Sequence, residues 1–384
     1  MIVKIADSII SPLGYSTEEN YNNVKAGNTN LVLHDGLWNI PTPFIGSLFN
    51  EEELNFIYNN NIKSNFVLTK FEKIMILSAS QAIERAGIDV TSNKVIFIIS
   101  STKGNIELLD SNPLNLPHER VLLGESAQIV CNHFKNPNKP IVVSNACISG
   151  ACAQLTAARL LEGGKYEYAV VIGADVQSKF IVSGFQSFKA LSGEPCKPFD
   201  KERKGLNVGE AAGTIIFKRK QKDEIGEAEW VLCDGAIRND ANHISGPSRT
   251  GEGSYRALVK IINNTDTNKL GLINVHGTAT AYNDEMESIA INRAGLSNIP
   301  VNGLKGYYGH TMGAAGVIET ILSQKSLENN IILGTKGFTE LGVSNSIVIS
   351  NKNIATDKKQ FIKLLSGFGG CNVALLYKLG GERE

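Results

Sequence analysis

Residues 141–175 read IVVSNACISGACAQLTAARLLEGGKYEYAVVIGAD, and this stretch decides the fold. IVVS is a β-branched run suited to a strand, and NACIS is a turn. GACAQLTAARLLEGG is a helix of small residues stopped by Gly163 and Gly164, and YAVVIGAD is a second strand. A strand, helix, strand crossover puts the loop after its first strand at the carboxyl edge of a sheet, where α/β proteins carry their chemistry. Upstream, residues 95–100 form another apolar run. It and residues 141–144 read as strands covered on both faces, neither of them an edge. Residues 66–86 read as a helix with Gly87 as its stop, whereas residues 20–65 are Asn-rich, weakly periodic and read as a decorated surface.

Downstream, residues 272–275 read as a strand ending in HGTAT. Val301 leads through GLKGYYGHT into the small-residue helix MGAAGVIETILSQKSL. Both parts of the chain thus set a Gly-flanked polar cluster ahead of a tightly packing helix. The expectation is an α/β fold of two related halves, residues 1–222 and 223–384, divided at the polar stretch around residues 220–228.

Composition narrows the function. The chain has 384 residues, and its 38 Lys+Arg balance its 38 Asp+Glu, so there is no net charge to favour nonspecific nucleic-acid binding. In the opening residues only Lys4 precedes a short apolar run broken by Asp7 and Pro12. Neither signal-peptide organisation nor the ~18 apolar residues of a membrane span is present there, so a soluble cytoplasmic chain is expected. Six cysteines (131, 147, 152, 196, 233, 371) without a CxxC pair predict reduced thiols and chemistry confined to one Cys.

That Cys is Cys147, at the junction of a strand and a helix start. A helix N-terminus favours thiolate over thiol, and the surrounding small residues leave room for a substrate. The competing reading is a buried Cys packing as a small hydrophobe. His276 ends an apolar strand beside the hydroxyls of Thr278 and Thr280, and His310 precedes a helix whose N-terminus would hold its ring neutral. A satisfied structural His competes in each case. Metal binding is a poorer use of the set, since no HxxxH, HxH or CxxC spacing supports it. Asp284 and Glu287, three apart on a helix, suit structural ion pairing as well as a ligand role. GFGG at 367–370 lacks dinucleotide-motif spacing and fits close backbone approach to a ligand.

Taken together, NACISG around Cys147, PFDKERKGLNVGEAAG at 198–213, NVHGTATAYNDEME at 274–287, GLKGYYGHTMGAAGVIE at 303–319 and SGFGGCN at 366–372 resemble the elongating β-ketoacyl-acyl-carrier-protein synthases of the thiolase superfamily. SPLG at 11–14 resembles that family's opening motif. The resemblance implies a thiolase-like fold in α-β-α-β-α layers and decarboxylative condensation of a Cys-bound acyl chain with malonyl-ACP, in fatty acid, polyene or polyketide synthesis. It implies Cys147 as nucleophile and His276 and His310 as the decarboxylating pair. Lys305 and Glu319 would support the histidines, the backbone of Cys147 and Phe368 would form an oxyanion hole with Phe368 as gate, and Thr278 and Thr280 would hold the phosphopantetheine arm. No metal or freely bound organic cofactor is expected. The implied partners are acyl carrier protein and a second copy of the chain, or a related synthase subunit.

Three features depart from that pattern. Residues 20–65 have no counterpart. Ser100-Ser101-Thr102-Lys103-Gly104 replaces a more Gly-rich, apolar segment at the acyl pocket. Cys371 stands where Thr, Ser or Asn is common, and reads as a bystander to the chemistry. The alternatives are a chain-length-factor-like subunit without activity, which characteristically loses the nucleophile kept here, and a starter condensing enzyme or thiolase using coenzyme A, which the GHT motif disfavours. The run Lys218, Arg219, Lys220 and Lys222 reads as a solvated connection and not as a docking site for an acidic carrier protein.

Overall fold

Two sets of five strands dominate the computed structural model, which describes residues 1–381. The first set is β1 (Ile2–Ile10), β2 (Val95–Ser100), β3 (Ile141–Val143), β4 (Tyr168–Asp175) and β5 (Ala211–Arg219). The second is β6 (Trp230–Asn239), β7 (Leu270–Asn274), β8 (Pro300–Asn302), β9 (Gln360–Gly367) and β10 (Cys371–Leu379). The helices are α1 (Thr17–Lys25), α2 (Glu51–Asn61), α3 (Lys70–Ala86), α4 (Leu123–His133), α5 (Ser149–Glu162), α6 (Lys179–Ser187), α7 (Glu252–Ile262), α8 (Ala281–Arg293), the single turn α9 (Lys305–Tyr308) and α10 (Ala315–Glu328).

The two sets share one topology. The first runs β1-β5-β4-β2-β3 and the second β6-β10-β9-β7-β8. In each, the first, fifth and fourth strands pair antiparallel, while the fourth, second and third pair parallel. A short antiparallel register, Ile2↔Leu232 to Lys4↔Trp230, links the sets. Helices α5 and α10 touch each other and strands of both sets, so they form the central layer. Helix α3 covers the outer side of β1, β5 and β4, and α7, backed by α8, covers β6 and β10. Burying both faces of each sheet in this way requires five layers, α-β-α-β-α. The repeated strand order shows two related halves.

Small residues let the central helices meet. A Cβ on Gly150 would lie 2.8 Å from the Gly313 carbonyl, and one on Gly316 would lie 2.5 Å from the Ala151 nitrogen. Tight packing at this crossing fixes the loop entering α5 against the loop entering α10. Those two loops carry Cys147 and His310.

Several expectations need correction. Helix α3 begins at Lys70, where Thr69 and Glu72 form a capping box, while Phe66 and Val67 lie exposed before it; Gly87 ends it at φ 61° as expected. Strand β3 is the edge of the large sheet, half-buried and paired only with β2 among the described residues. Three apolar residues in a row indicated a strand but not how many neighbours it has. Residues 20–65 are more than decoration: Tyr21, Val24, Phe44, Leu54 and Tyr58 are buried, and Phe44–Ser47 pairs with Val32–His34 and Val208–Gly209 in a small sheet. Some of the asparagines serve this structure, Asn50 capping α2 and buried Asn20 donating to the carbonyls of Gly14 and Ser16. The polar stretch after β5 connects the two strand sets, and Lys220 pairs there with Glu229 at 2.6 Å. Among the described residues no helix is long and apolar enough to cross a membrane.

Candidate active site

A cavity of about 480 Å³ gathers Cys147, His276, His310, Thr278, Thr280 and Phe368 at one mouth, with Phe185 and Phe188 alongside. Each arrives from the end of a strand or from the loop that follows it, as open α/β sheets require. The Cys147 sulfur and one ring nitrogen from each histidine lie within 4.8 Å of one another. The two imidazoles meet edge to face, with centroids 5.0 Å apart.

Cys147 sits in the loop between β3 and α5. Ala146 takes a left-handed φ of 44°, unusual for alanine, and Ser149 Oγ donates to the Ala146 carbonyl at 2.6 Å while accepting from the Asn145 amide at 2.7 Å. This braced elbow precedes the unpaired N–H groups of α5. The thiol is 8% exposed, and burial pushes it up to about 12, with Cys371 and Asp175 adding to the rise and Lys305 and Lys103 opposing it. The helix N-terminus expected to favour the thiolate does not prevail here. The helix N-terminus supplies only about half a unit charge, less than desolvation removes. Cys147 rests as a thiol and needs a proton acceptor when it attacks.

His276 provides one, and His310 a donor. Burial, reinforced by Lys305 and Lys363, holds both rings well below the usual histidine range, with His310 also acting on His276. Both are neutral near pH 7. The Met312 amide donates to Nδ1 of His310 at 3.2 Å, so the proton of that neutral ring resides on Nε2, a buried atom with no protein partner. His310 thus aims an N–H donor into the cavity. His276 leaves Nδ1 without a partner. Its backbone is anchored by Glu287, which accepts from the amides of His276 (2.7 Å) and Gly277 (2.8 Å).

Lys305 and Glu319 lie beneath the rings and not in the cavity wall. Lys305 Nζ donates to the His276 carbonyl at 2.5 Å and to Glu319 Oε1 at 2.8 Å. Burial would raise Glu319, but Lys305 and a second lysine, Lys363, hold its carboxyl below the usual range. Lys363 was not anticipated, although a lone cation inside the apolar run QFIKLL of β9 marks it. Asp284 and Glu287 occupy α8 as expected, and Asp284 makes a buried ion pair with Arg203. Asp284 accepts from the Phe199 amide at 2.7 Å with Arg203 4.0 Å away, and burial pushes the two carboxyls up to about 6 and about 7.

The GFGG turn lies against the nucleophile: a Cβ on Gly367 would sit 3.2 Å from the Cys147 nitrogen. Phe368 is 39% exposed at the mouth, tilted against Phe185 and edge to face with Phe188. Thr278 and Thr280 share a 2.9 Å hydrogen bond on the wall. Cys371 is buried outside the cavity lining, with its thiol toward the Phe368 carbonyl at 3.3 Å. The departing segment after β2 is polar because Asp175 organises it, accepting from Ser101 Oγ (2.7 Å), the Thr102 amide and hydroxyl, and the Gly313 amide.

Comparison with known proteins matches this arrangement. The beta-ketoacyl synthase N-terminal domain family matches residues 63–223 and its C-terminal domain family residues 231–339. The chain belongs to the β-ketoacyl synthase family. The synthase is 26% identical over 413 residues to 3-oxoacyl-[acyl-carrier-protein] synthase 2 of Vibrio harveyi, covering 98% of each chain. It is 28% identical over 284 residues to the enzyme of that name from Rhizobium meliloti, covering 70% of this chain and 66% of the relative. Among solved structures, the ketosynthase ApeO in complex with its chain length factor ApeC from Xenorhabdus doucetiae aligns with a TM-score of 0.86 at 21% identity, and a beta-ketoacyl synthase from Burkholderia phymatum with 0.84 at 21%. The alignments cover 98% of the synthase, and 98% and 99% of those chains. These likenesses identify the fold as thiolase-like and the synthase as an acyltransferase.

Proposed function

We propose that the chain is a 3-oxoacyl-[acyl-carrier-protein] synthase that elongates a Cys147-bound acyl chain with malonyl-ACP. The observation that carries this reading is the convergence of one thiol and two neutral imidazoles within 4.8 Å at a single cavity. Cys147 attacks the thioester of acyl-ACP while its proton passes to His276 and then to the departing carrier thiol. Malonyl-ACP next takes the carrier's place. Its carboxylate leaves as carbon dioxide, and the electron pair moves into an enolate whose oxygen accepts from His310 Nε2 and from His276. The enolate carbon attacks the Cys147 thioester, the tetrahedral oxyanion rests on the backbone N–H groups of Cys147 and Phe368, and collapse expels the Cys147 thiolate. Solvent returns one proton. Each oxyanion donor of this kind is worth roughly 3 to 4 kcal/mol.

Thr278 and Thr280 are assigned to the phosphopantetheine arm, Phe368 to gating the acyl side, and Lys305 with Glu319 to orientation and electrostatics. No metal or free cofactor enters the scheme. A dication among Cys147, His276 and His310 would face two buried lysines balanced by one glutamate. The carrier protein is assigned to the cavity mouth, where Lys189 and Lys204, the latter also paired with Glu194 at 2.7 Å, supply cations for an acidic partner. The run at 218–222 lies at the far end of β5, nine residues or roughly 30 Å from the Gly209 side that meets His310. A silent chain-length-factor role is disfavoured by the retained nucleophile and histidines. Edge strand β3 offers a second copy, or a related subunit, a backbone to pair with.

Supplying acyl-ACP and malonyl-ACP labelled in its free carboxyl tests the reading. Release of labelled carbon dioxide with a 3-ketoacyl product two carbons longer is expected, and failure to release it, or turnover with coenzyme A thioesters alone, would overturn it.

A further inference from the structure

One buried cation in the site has no place in the scheme above. Lys363 lies in the middle of β9, fully enclosed, and its Nζ donates to Glu319 Oε2 at 2.5 Å and Asn274 Oδ1 at 2.6 Å, with the Val275 carbonyl 3.3 Å away. Glu319 gives its other oxygen to Lys305, which in turn holds the His276 carbonyl. One carboxylate thus bridges two ammonium groups. Pairing is the ordinary fate of a buried charge, and here a single Lys305–Glu319 pair would already be neutral. The second lysine takes this three-residue cluster one positive charge beyond balance, directly behind the strand end that carries His276, and the Glu287 carboxyl, which burial pushes up to about 7, offsets it only in part near neutral pH.

We propose that Lys363 is a positioning residue of the condensation site: with Lys305 it leaves one uncompensated cation behind His276 and His310, which keeps both imidazoles unprotonated and stabilises the negative charge that decarboxylation develops above them. A like charge within a poorly solvated region disfavours further protonation, and the same field favours moving the malonyl carboxylate's negative charge onto the enolate oxygen beside the rings. The groups that face the rings are Lys305 from α9, Glu319 from α10, Glu287 from α8, Lys363 from β9, and Cys147 from the α5 loop. Burial draws Lys363 down to about 8, with Lys305 adding to the fall and Glu319 opposing it. The charge is therefore present near neutral pH and fades as pH rises through about 8.

The inference rests on the proposed decarboxylation, so the test reads the pH profile of carbon dioxide release from malonyl-ACP. Wild-type protein that releases none overturns the proposed function, and leaves the ring titration below to judge Lys363. With wild-type release established, Lys363→Met is expected to move the acidic limb upward by roughly one pH unit or more and to remove the fall above about pH 8. Adding Glu319→Gln to Lys363→Met restores a single net cation on Lys305 and is expected to return the acidic limb toward the wild-type position. An acidic limb that stays put in Lys363→Met, or fails to return in the double variant, contradicts the proposal, because a merely structural lysine would lower the rate at every pH. If Lys363→Met does not fold, nitrogen NMR of histidine-labelled wild-type protein decides. Both cavity imidazoles are expected to titrate well below the ordinary 6.5, and either ring titrating near that value contradicts the assignment.

Discussion

The loop from β3 to α5 and the loop from β8 to α10 occupy the same place in the two halves, yet they deliver opposite chemistry. Each follows the third strand of its set and enters a central helix, and the two helices cross at Gly150 and Gly316. The first loop presents a thiol pushed up to about 12 by burial. The second presents His310, held well below the usual range by burial and the lysines behind it. A weak acid thus faces a neutral ring that offers an N–H donor, and the sulfur gives its proton to His276 only as it attacks. Duplicated scaffold supplies the meeting point, while the side chains the two loops carry, and the lysines that act most on His310, decide which half is nucleophile and which is electrostatic partner.

Removing the nucleophile should break the comparison most severely. Cys147→Ser conserves volume but replaces the thiol with a far weaker acid, so acyl transfer should fall by roughly three orders of magnitude or more, with an unchanged melting temperature. Elongation retained by that variant, in a coupled product assay, would remove the first loop from the chemistry. Taking a ring from the second loop should act on one step only. His310→Ala is expected to slow decarboxylation by about 10²- to 10³-fold while Cys147 still acquires its acyl group in single-turnover experiments. Equal loss of both steps would merge roles that the geometry keeps apart.

The crossing itself carries a smaller effect, read in stability and not in rate. Gly316→Ala drives a methyl toward the Ala151 nitrogen and should cost about 1 to 3 kcal/mol in the denaturation midpoint. No measurable cost would mean that the two halves are not tightly joined there. Cys371→Ala should do least: this thiol lies outside the cavity lining, and elongation is expected to stay within about twofold of wild type.

Much of this was legible in the residues. Gly-flanked clusters before small-residue helices announced both loops, and Cys147, His276, His310, Thr278, Thr280 and Phe368 do line one cavity. What escaped has physical causes. The edge position of β3 depends on which strand lies beside it, and a three-residue apolar run does not encode that. The buried side of residues 20–65 was hidden because its asparagines serve as caps and carbonyl partners between widely spaced aromatic anchors such as Tyr21, Phe44 and Tyr58. The state of Cys147 is a balance between helix N-terminus and desolvation, and only burial, a tertiary quantity, tips it toward the thiol. Lys363 was visible as a charge inside an apolar strand, but its partner Glu319 is 44 residues away, and nothing local connects them.

The central claim is a single acyl-carrying sulfur discharged by malonyl-ACP. Peptide mass spectrometry after incubation with acyl-ACP should find the acyl mass on the peptide containing Cys147, and adding malonyl-ACP should clear it as the 3-ketoacyl product appears. An adduct on Cys371 or another thiol, or one on Cys147 that malonyl-ACP leaves in place, would contradict the account.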